Sequence, residues 1–124
     1  MDINNYDYVQ PRGLKSKIIL TCFPGREKKQ IIFSKKIFLD ELNKFKKLNC
    51  SSLVSLVEDD EIIKMYDKKL FVHEVYKNSL SWFHLPIVDL KAPNHKFIDK
   101  WQTTKSLLKN ELIDGKNIVI HCMG

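Results

Sequence analysis

Arginine is almost missing from these 124 residues. Of 21 basic side chains only Arg12 and Arg26 carry a guanidinium, and the lysines that make up the rest are spread along the whole chain. The net charge of +6 is therefore diffuse. It forms no basic patch interleaved with aromatics, the pattern that grips nucleic acid by displacing counterions from phosphates. A nucleic-acid-binding domain rests on the charge alone and is the weakest of three readings, although a basic surface still draws in phosphorylated substrates. Long apolar runs are lacking too, so no membrane span is expected. The start, Met1-Asp2-Ile3-Asn4-Asn5, has neither the basic nor the apolar part of a signal peptide, which makes a cytoplasmic location the default. Cysteine is scarce and odd in number. Cys22, Cys50 and Cys122 fall at no metal-ligand spacing, which argues against a disulfide framework and a structural zinc site and leaves reduced thiols.

What remains is the balance of a soluble globular chain, 44% apolar and 29% charged, with room for one core. No internal repeat, linker or low-complexity stretch divides it. Residues 1–16 have little periodicity and form a lead-in arm; residues 17–124 form one α/β unit. Ile18 to Phe23 reads as a strand stopped by Pro24-Gly25, and Arg26-Glu27-Lys28-Lys29 as a solvated loop. From Ser34 the period becomes helical: Phe38, Leu42, Phe45 and Leu48 share a face, with Ser34 as cap and Asn49 as a left-handed terminator. Leu53, Val54, Leu56 and Val57 make a second buried strand. Strand, helix, strand implies a right-handed crossover and a parallel sheet.

Glu58-Asp59-Asp60-Glu61 suits the positive end of a new helix better than a metal, since no histidine or spaced ligand set accompanies it. A helix is expected over Leu70 to Asn78, and a third strand over Ser81 to Ile87. Asn94 then caps the longest helix, whose inner face carries Phe97, Trp101, Thr104, Leu108 and Leu112 before Gly115 ends it. Trp82 and Trp101 read as core or sheet-face residues. Last comes Ile118-Val119-Ile120, a β-branched run suited to a strand buried on both faces of a parallel sheet.

That run ends in His121-Cys122-Met123-Gly124. Open α/β sheets place ligand crevices at the carboxyl ends of their strands. A thiol there, wrapped by backbone N–H groups, gains thiolate character and a cradle for an oxyanion. Glycine two residues after the cysteine lets backbone approach a phosphate closely. A phosphoryl acceptor also needs an acid to protonate the leaving oxygen. Asp89, after the third strand, is the natural candidate. Taken alone, a cysteine on a buried strand is ordinarily a small hydrophobe, and an aspartate before a proline a turn residue. Cys22 and Cys50 keep the former reading.

Val119-Ile120-His121-Cys122-Met123-Gly124 resembles the start of the cysteine phosphatase signature, His-Cys-x-x-Gly-x-x-Arg. With glycine second after the cysteine, it is similar to the Cys-x-Gly-Gly-x-Gly-Arg variant of dual-specificity phosphatases of the kinase-associated type and their bacterial relatives. Phe23-Pro24-Gly25-Arg26, Leu53-Val54-Ser55-Leu56-Val57-Glu58 and Leu85-Pro86-Ile87-Val88-Asp89 with Pro93 agree in order and spacing. The resemblance implies a mostly parallel sheet flanked by helices, the protein tyrosine phosphatase-like fold. It implies Cys122 as nucleophile through a phosphocysteine, Asp89 as general acid, His121 as the residue holding the loop and helping to keep the thiolate, and Met123 and Gly124 as phosphate-binding backbone. The substrate would be a phosphorylated protein, at tyrosine or at serine and threonine, or a small phosphomonoester. No metal or organic cofactor is implied.

Two departures stand out. The acid loop reads Asp-Leu-Lys-Ala-Pro-Asn instead of a glycine-rich stretch, and no arginine occurs after Arg26. The resemblance therefore implies the amino-terminal part of a catalytic domain, lacking the phosphate-binding arginine and inactive on its own. The alternative reading is a catalytically inactive, phosphatase-like binding module.

Overall fold

The computed structural model describes residues 6–27, 32–87 and 94–124. Among these residues five strands form one sheet: β1 (Asp7–Val9), β2 (Ile18–Thr21), β3 (Cys50–Ser55), β4 (Ser81–His84) and β5 (Asn117–His121), in the spatial order β1-β2-β5-β3-β4. Only β1 runs antiparallel, on β2; the other four strands are parallel. The sheet is thus mostly parallel and flanked by helices, as the sequence predicts. The lead-in arm differs from expectation in one respect. It contributes β1, a three-residue edge strand whose exposed side chains carry no apolar alternation to betray it.

Four helices among the described residues connect the strands: α1 (Lys35–Lys47), α2 (Asp59–Met65), α3 (Lys68–Lys77) and α4 (His95–Ile113). Their starts follow local chemistry. Ser34 Oγ accepts from the Ile37 N–H, Asp67 from Leu70, and Asn94 from Phe97, so each side chain satisfies an orphan donor of the first turn. Glu58 and Glu61 form a reciprocal capping box at α2, which gives the acidic run its structural purpose. Asn49 ends α1 with φ +60° and Gly115 follows α4 with φ +85°, the left-handed conformation expected of both.

The sheet alternates between two cores. Ile19, Leu53 and Val119 are fully buried against Phe38, Leu42 and Phe45 of α1, Ile62 of α2, and Phe71 and Val75 of α3. Phe71 stacks on Phe38 at 5.2 Å between ring centroids and meets Phe23 at 5.4 Å. Their immediate neighbours Val54 and Ile118 turn to the other face, where they pack with Leu85 and with Leu108 of α4. The buried Ser52 hydroxyl donates to Glu111 of α4 at 2.7 Å, tying that helix to β3. Trp101 departs from the expected inner face and is 40% exposed. A helix is about 10 Å across while strands lie ~4.8 Å apart. Among the described residues α4 alone packs on this face, and it covers roughly two strands.

Candidate active site

Register brings four polar residues into one row at the carboxyl ends of the parallel strands. Thr21 of β2 pairs with His121 of β5, which pairs with Ser55 of β3, which pairs with His84 of β4. Parallel partners share a face, so the row lies on the α1/α3 side, just beyond the apolar row of Ile19, Val119, Leu53 and Trp82. The carboxyl-terminal crest of the sheet is thus lined by polar groups where its interior is apolar. Cys122 is the next residue along the central strand.

His121 is 1% exposed, and its two ring nitrogens each have a partner. Nδ1 lies 3.1 Å from the Cys122 carbonyl and Nε2 lies 2.6 Å from Ser55 Oγ. A carbonyl only accepts, so Nδ1 carries the proton and Nε2 of the neutral ring is left to accept from the serine hydroxyl. Ser55 Oγ in turn receives the Trp82 indole N–H at 2.7 Å. The result is a directed chain, indole to hydroxyl to imidazole to the Cys122 carbonyl, with every buried member satisfied. Burial pushes the His121 pKa down to about 4, against the smaller opposing effect of its bond to Cys122. The ring is therefore neutral near pH 7. Any help His121 gives a thiolate comes through orientation of the loop, with no contribution from positive charge.

The three cysteines behave differently from one another. Cys122 is exposed, whereas Cys22 is half-buried and Cys50 is buried at the start of β3. Burial pushes the Cys50 thiol up to about 12, which suits an inert core group. Met123 tucks its side chain against the α1/α3 core. Gly124 is exposed, and a Cβ there would run into the guanidinium of Arg26.

Arg26 is the residue beside Met123 and Gly124 that sequence reasoning passed over. Its Nη1 donates to the Met123 carbonyl at 2.8 Å, and the Phe23 N–H points at the same oxygen at 3.4 Å. The expected solvated loop instead starts as a half-buried turn. Phe23 is completely buried, with His121 edge-on at 5.2 Å. Gly25 adopts φ +92° and donates to Glu41 Oε1 of α1 at 2.9 Å, and Arg26 bridges to Phe33. The rarity of arginine in so lysine-rich a chain was the available signal.

Asp89 lies outside the described residues. β4, which leads toward it, is not adjacent to β5, because β3 stands between them. The backbone beyond β4 nevertheless follows the same crest: Leu85 N–H donates to Ser55 O, Ile87 N–H to Leu56 O, and Leu56 N–H to His121 O. An open cleft of about 460 Å³ lies on this side, between Glu58, Asp59 and Asp60 on one wall and Lys96 and Lys100 on the other. Pro86 and Asn94, the lining residues nearest in sequence to residues 88–93, also belong to it. His84 faces the cleft with Nε2 donating to Val57 O at 2.7 Å, and burial lowers its pKa. Asp59 is held below the usual carboxylate range by its 2.7 Å bond to Lys68. Cys122 is not among the cleft's lining residues. Among the described residues no three His, Cys, Asp or Glu side chains gather as a metal site, and no helix is long and apolar enough to cross a membrane.

No protein-family model and no curated protein sequence matches this chain. Solved structures do. Kinase-associated phosphatase, with its catalytic-site cysteine replaced by serine, matches with a TM-score of 0.70 at 19% identity over 90% of this chain and 59% of that one. Tk-PTP in its active form matches with a TM-score of 0.57 at 23% identity, over 86% of this chain and 57% of its own. The chain spans less than two thirds of the length of either structure. It has a cysteine-dependent phosphatase-like fold.

Proposed function

We propose that Cys122 is the nucleophile of a phosphomonoester hydrolase acting on phosphotyrosine, phosphoserine or phosphothreonine of proteins, or on a small phosphomonoester. The observation that carries this is the placement of the one exposed thiol of the three at the crest of the central strand of a phosphatase-like sheet. The Cys122 thiolate attacks phosphorus, so that the S–P bond forms as the P–O bond to the leaving group breaks. Asp89 gives its proton to the departing oxygen, then takes one from water as that water attacks the phosphocysteine. The S–P bond breaks, inorganic phosphate leaves, and thiolate and acid are restored. His121, oriented by Ser55, holds the Cys122 carbonyl while Met123 and Gly124 contribute backbone to the phosphate cradle. No metal or organic cofactor takes part in this scheme.

Alkylation of Cys122 by iodoacetamide, followed residue by residue by mass spectrometry, tests the reading. Inorganic phosphate or tungstate is expected to slow modification of Cys122 and leave that of Cys22 unchanged. Equal rates at Cys122 with and without the anion would refute it. Protection without turnover of an aryl phosphate is the outcome expected of the 124-residue chain, and it is also what a phosphate-recognising binding module would give. Turnover that disappears in Cys122→Ser would show instead that the chain already holds a working cradle.

A further inference from the structure

Resting on that reading of Cys122, we propose that Cys22 is its resolving thiol. The two cysteines form an adjacent dithiol at the crest of β2 and β5, which a disulfide of low molecular mass converts into a Cys22–Cys122 disulfide. That bond masks the nucleophile reversibly.

Register brings the two residues together. Thr21 pairs with His121 at the last step of the β2–β5 ladder, and Cys22 and Cys122 come next on either strand. The strands stay side by side beyond that step. Cys122 N–H donates to Thr21 O at 3.4 Å, and Phe23 N–H donates to Met123 O at 3.4 Å. One bond precedes the cysteine pair and the other follows it. Neighbouring strands lie about 4.8 Å apart, inside the window of about 4.4–6.8 Å between Cα atoms that a disulfide spans.

Both side chains also face the same way. Thr21 and His121 share the α1/α3 side of the sheet through their pairing. Phe23 belongs to the core on that side, and Met123 packs against it. Successive residues of extended backbone alternate between faces. Cys22 and Cys122, each set between two residues on the α1/α3 side, therefore both turn to the opposite one. Cys122 is exposed there and Cys22 half-buried, so a reagent meets Cys122 first. The third thiol of the chain stands apart. Cys50 is buried beside Asn117, at the opposite end of β5, roughly 16 Å from the crest.

Two exchanges complete the conversion. The Cys122 thiolate attacks one sulfur of the reagent disulfide, forming a mixed disulfide and releasing one reagent thiolate. The Cys22 thiolate then attacks Cys122 Sγ, and the protein disulfide forms as the bond to the second reagent thiolate breaks. Two protein thiols are oxidised, the reagent is reduced to two thiols, and the protons pass to the thiolates released. An external dithiol reverses both exchanges.

The test treats the native 124-residue chain with oxidised glutathione, quenches with acid and maps the peptides by mass spectrometry. In the wild type the glutathione adduct at Cys122 is expected to be transient and to give way to a linked Cys22–Cys122 peptide. In Cys22→Ser the adduct should persist, its loss slowed at least about tenfold by removal of the neighbouring thiol. Dithiothreitol should restore iodoacetamide labelling of Cys122. An adduct that persists in the wild type would overturn the proposal, as would the absence of any linked peptide or one that joins Cys50 instead. The wild-type map decides this even where Cys22→Ser does not fold. Phosphate or tungstate should slow formation of the Cys122 adduct. Failure of that protection refutes the reading of Cys122 as the phosphate-site nucleophile, whereas the fate of the adduct tests Cys22.

Discussion

His121 illustrates how much one buried side chain can impose. Its pKa is depressed from the ordinary 6.5 to about 4 by burial. The unfolded chain thus takes up a proton near pH 6.5 that the folded chain refuses until about pH 4. The stability contributed is complete above about pH 6.5 and is lost as the pH falls toward 4, amounting to about 3 kcal/mol at full burial. His84, also shifted down by burial, pushes in the same direction. Urea midpoints should therefore fall steadily between pH 6.5 and 5, above the range in which most carboxylates titrate. A flat profile there, or an His121 imidazole that titrates near 6.5 by NMR, would contradict the closed Trp82–Ser55–His121 chain. The sequence announces His121 and Cys122 by their place at the end of a β-branched run. It does not announce Ser55, because a serine within an apolar strand looks unremarkable until register sets it beside the histidine.

At the level of elements, the turn between β2 and α1 does more than reverse the chain. Gly25 sits at φ +92°, and an added Cβ would lie 2.5 Å from Phe33 Cε2 and 2.7 Å from Phe38 Cβ. Gly25→Ala combines a left-handed penalty of about 1–2 kcal/mol with overpacking of about 1–3 kcal/mol. It should lower the urea-derived stability by roughly 2–5 kcal/mol and, by displacing Arg26, weaken phosphate protection of Cys122. A fully stable Gly25→Ala variant would show that Phe33 moves aside without resistance. The helices were legible because caps and apolar spacing agree: Ser34 with Phe38, Leu42 and Phe45 gives α1 almost to the residue. The strands were legible where they are buried, as in β3 and β5. β1 was not, because an exposed three-residue edge strand is held by pairing with β2 and carries no pattern of its own. Trp101 misled for the opposite reason: its spacing is that of a core residue, but on α4 it is 40% exposed, with no other helix among the described residues on that side of the sheet to cover it.

For the molecule as a whole, the order β1-β2-β5-β3-β4 gives β5 parallel neighbours on both sides and helices over both faces. Its backbone hydrogen bonds can open only when the sheet itself comes apart. Amides of Val119 and Ile120 should accordingly show the slowest hydrogen exchange in the chain, with a free energy equal to that of global unfolding. Those of β1 should exchange through local fraying. Exchange of β5 amides as fast as those of β1 would mean that the central pairing is not the stable unit. The fold class followed from strand-helix alternation alone, but the strand order did not. Nothing in the sequence places the last strand between the first and second of the parallel set.

That interleaving also bears on how the protein comes into being. β2 and β3 are made early and are separated by a gap one strand wide, which only β5, the latest of the five in sequence, fills. During synthesis at the ribosome the first four strands therefore wait with two inner edges unpaired, a state prone to wrong pairing and to association with other chains. Closure comes when β5 slots in, through contacts that span about a hundred residues of sequence, such as Lys17 N–H to Asn117 Oδ1. The insertion of β5 carries Cys122 to the crest in the same motion. Cys122 thus reaches the crest only when β5 has filled the gap between β2 and β3.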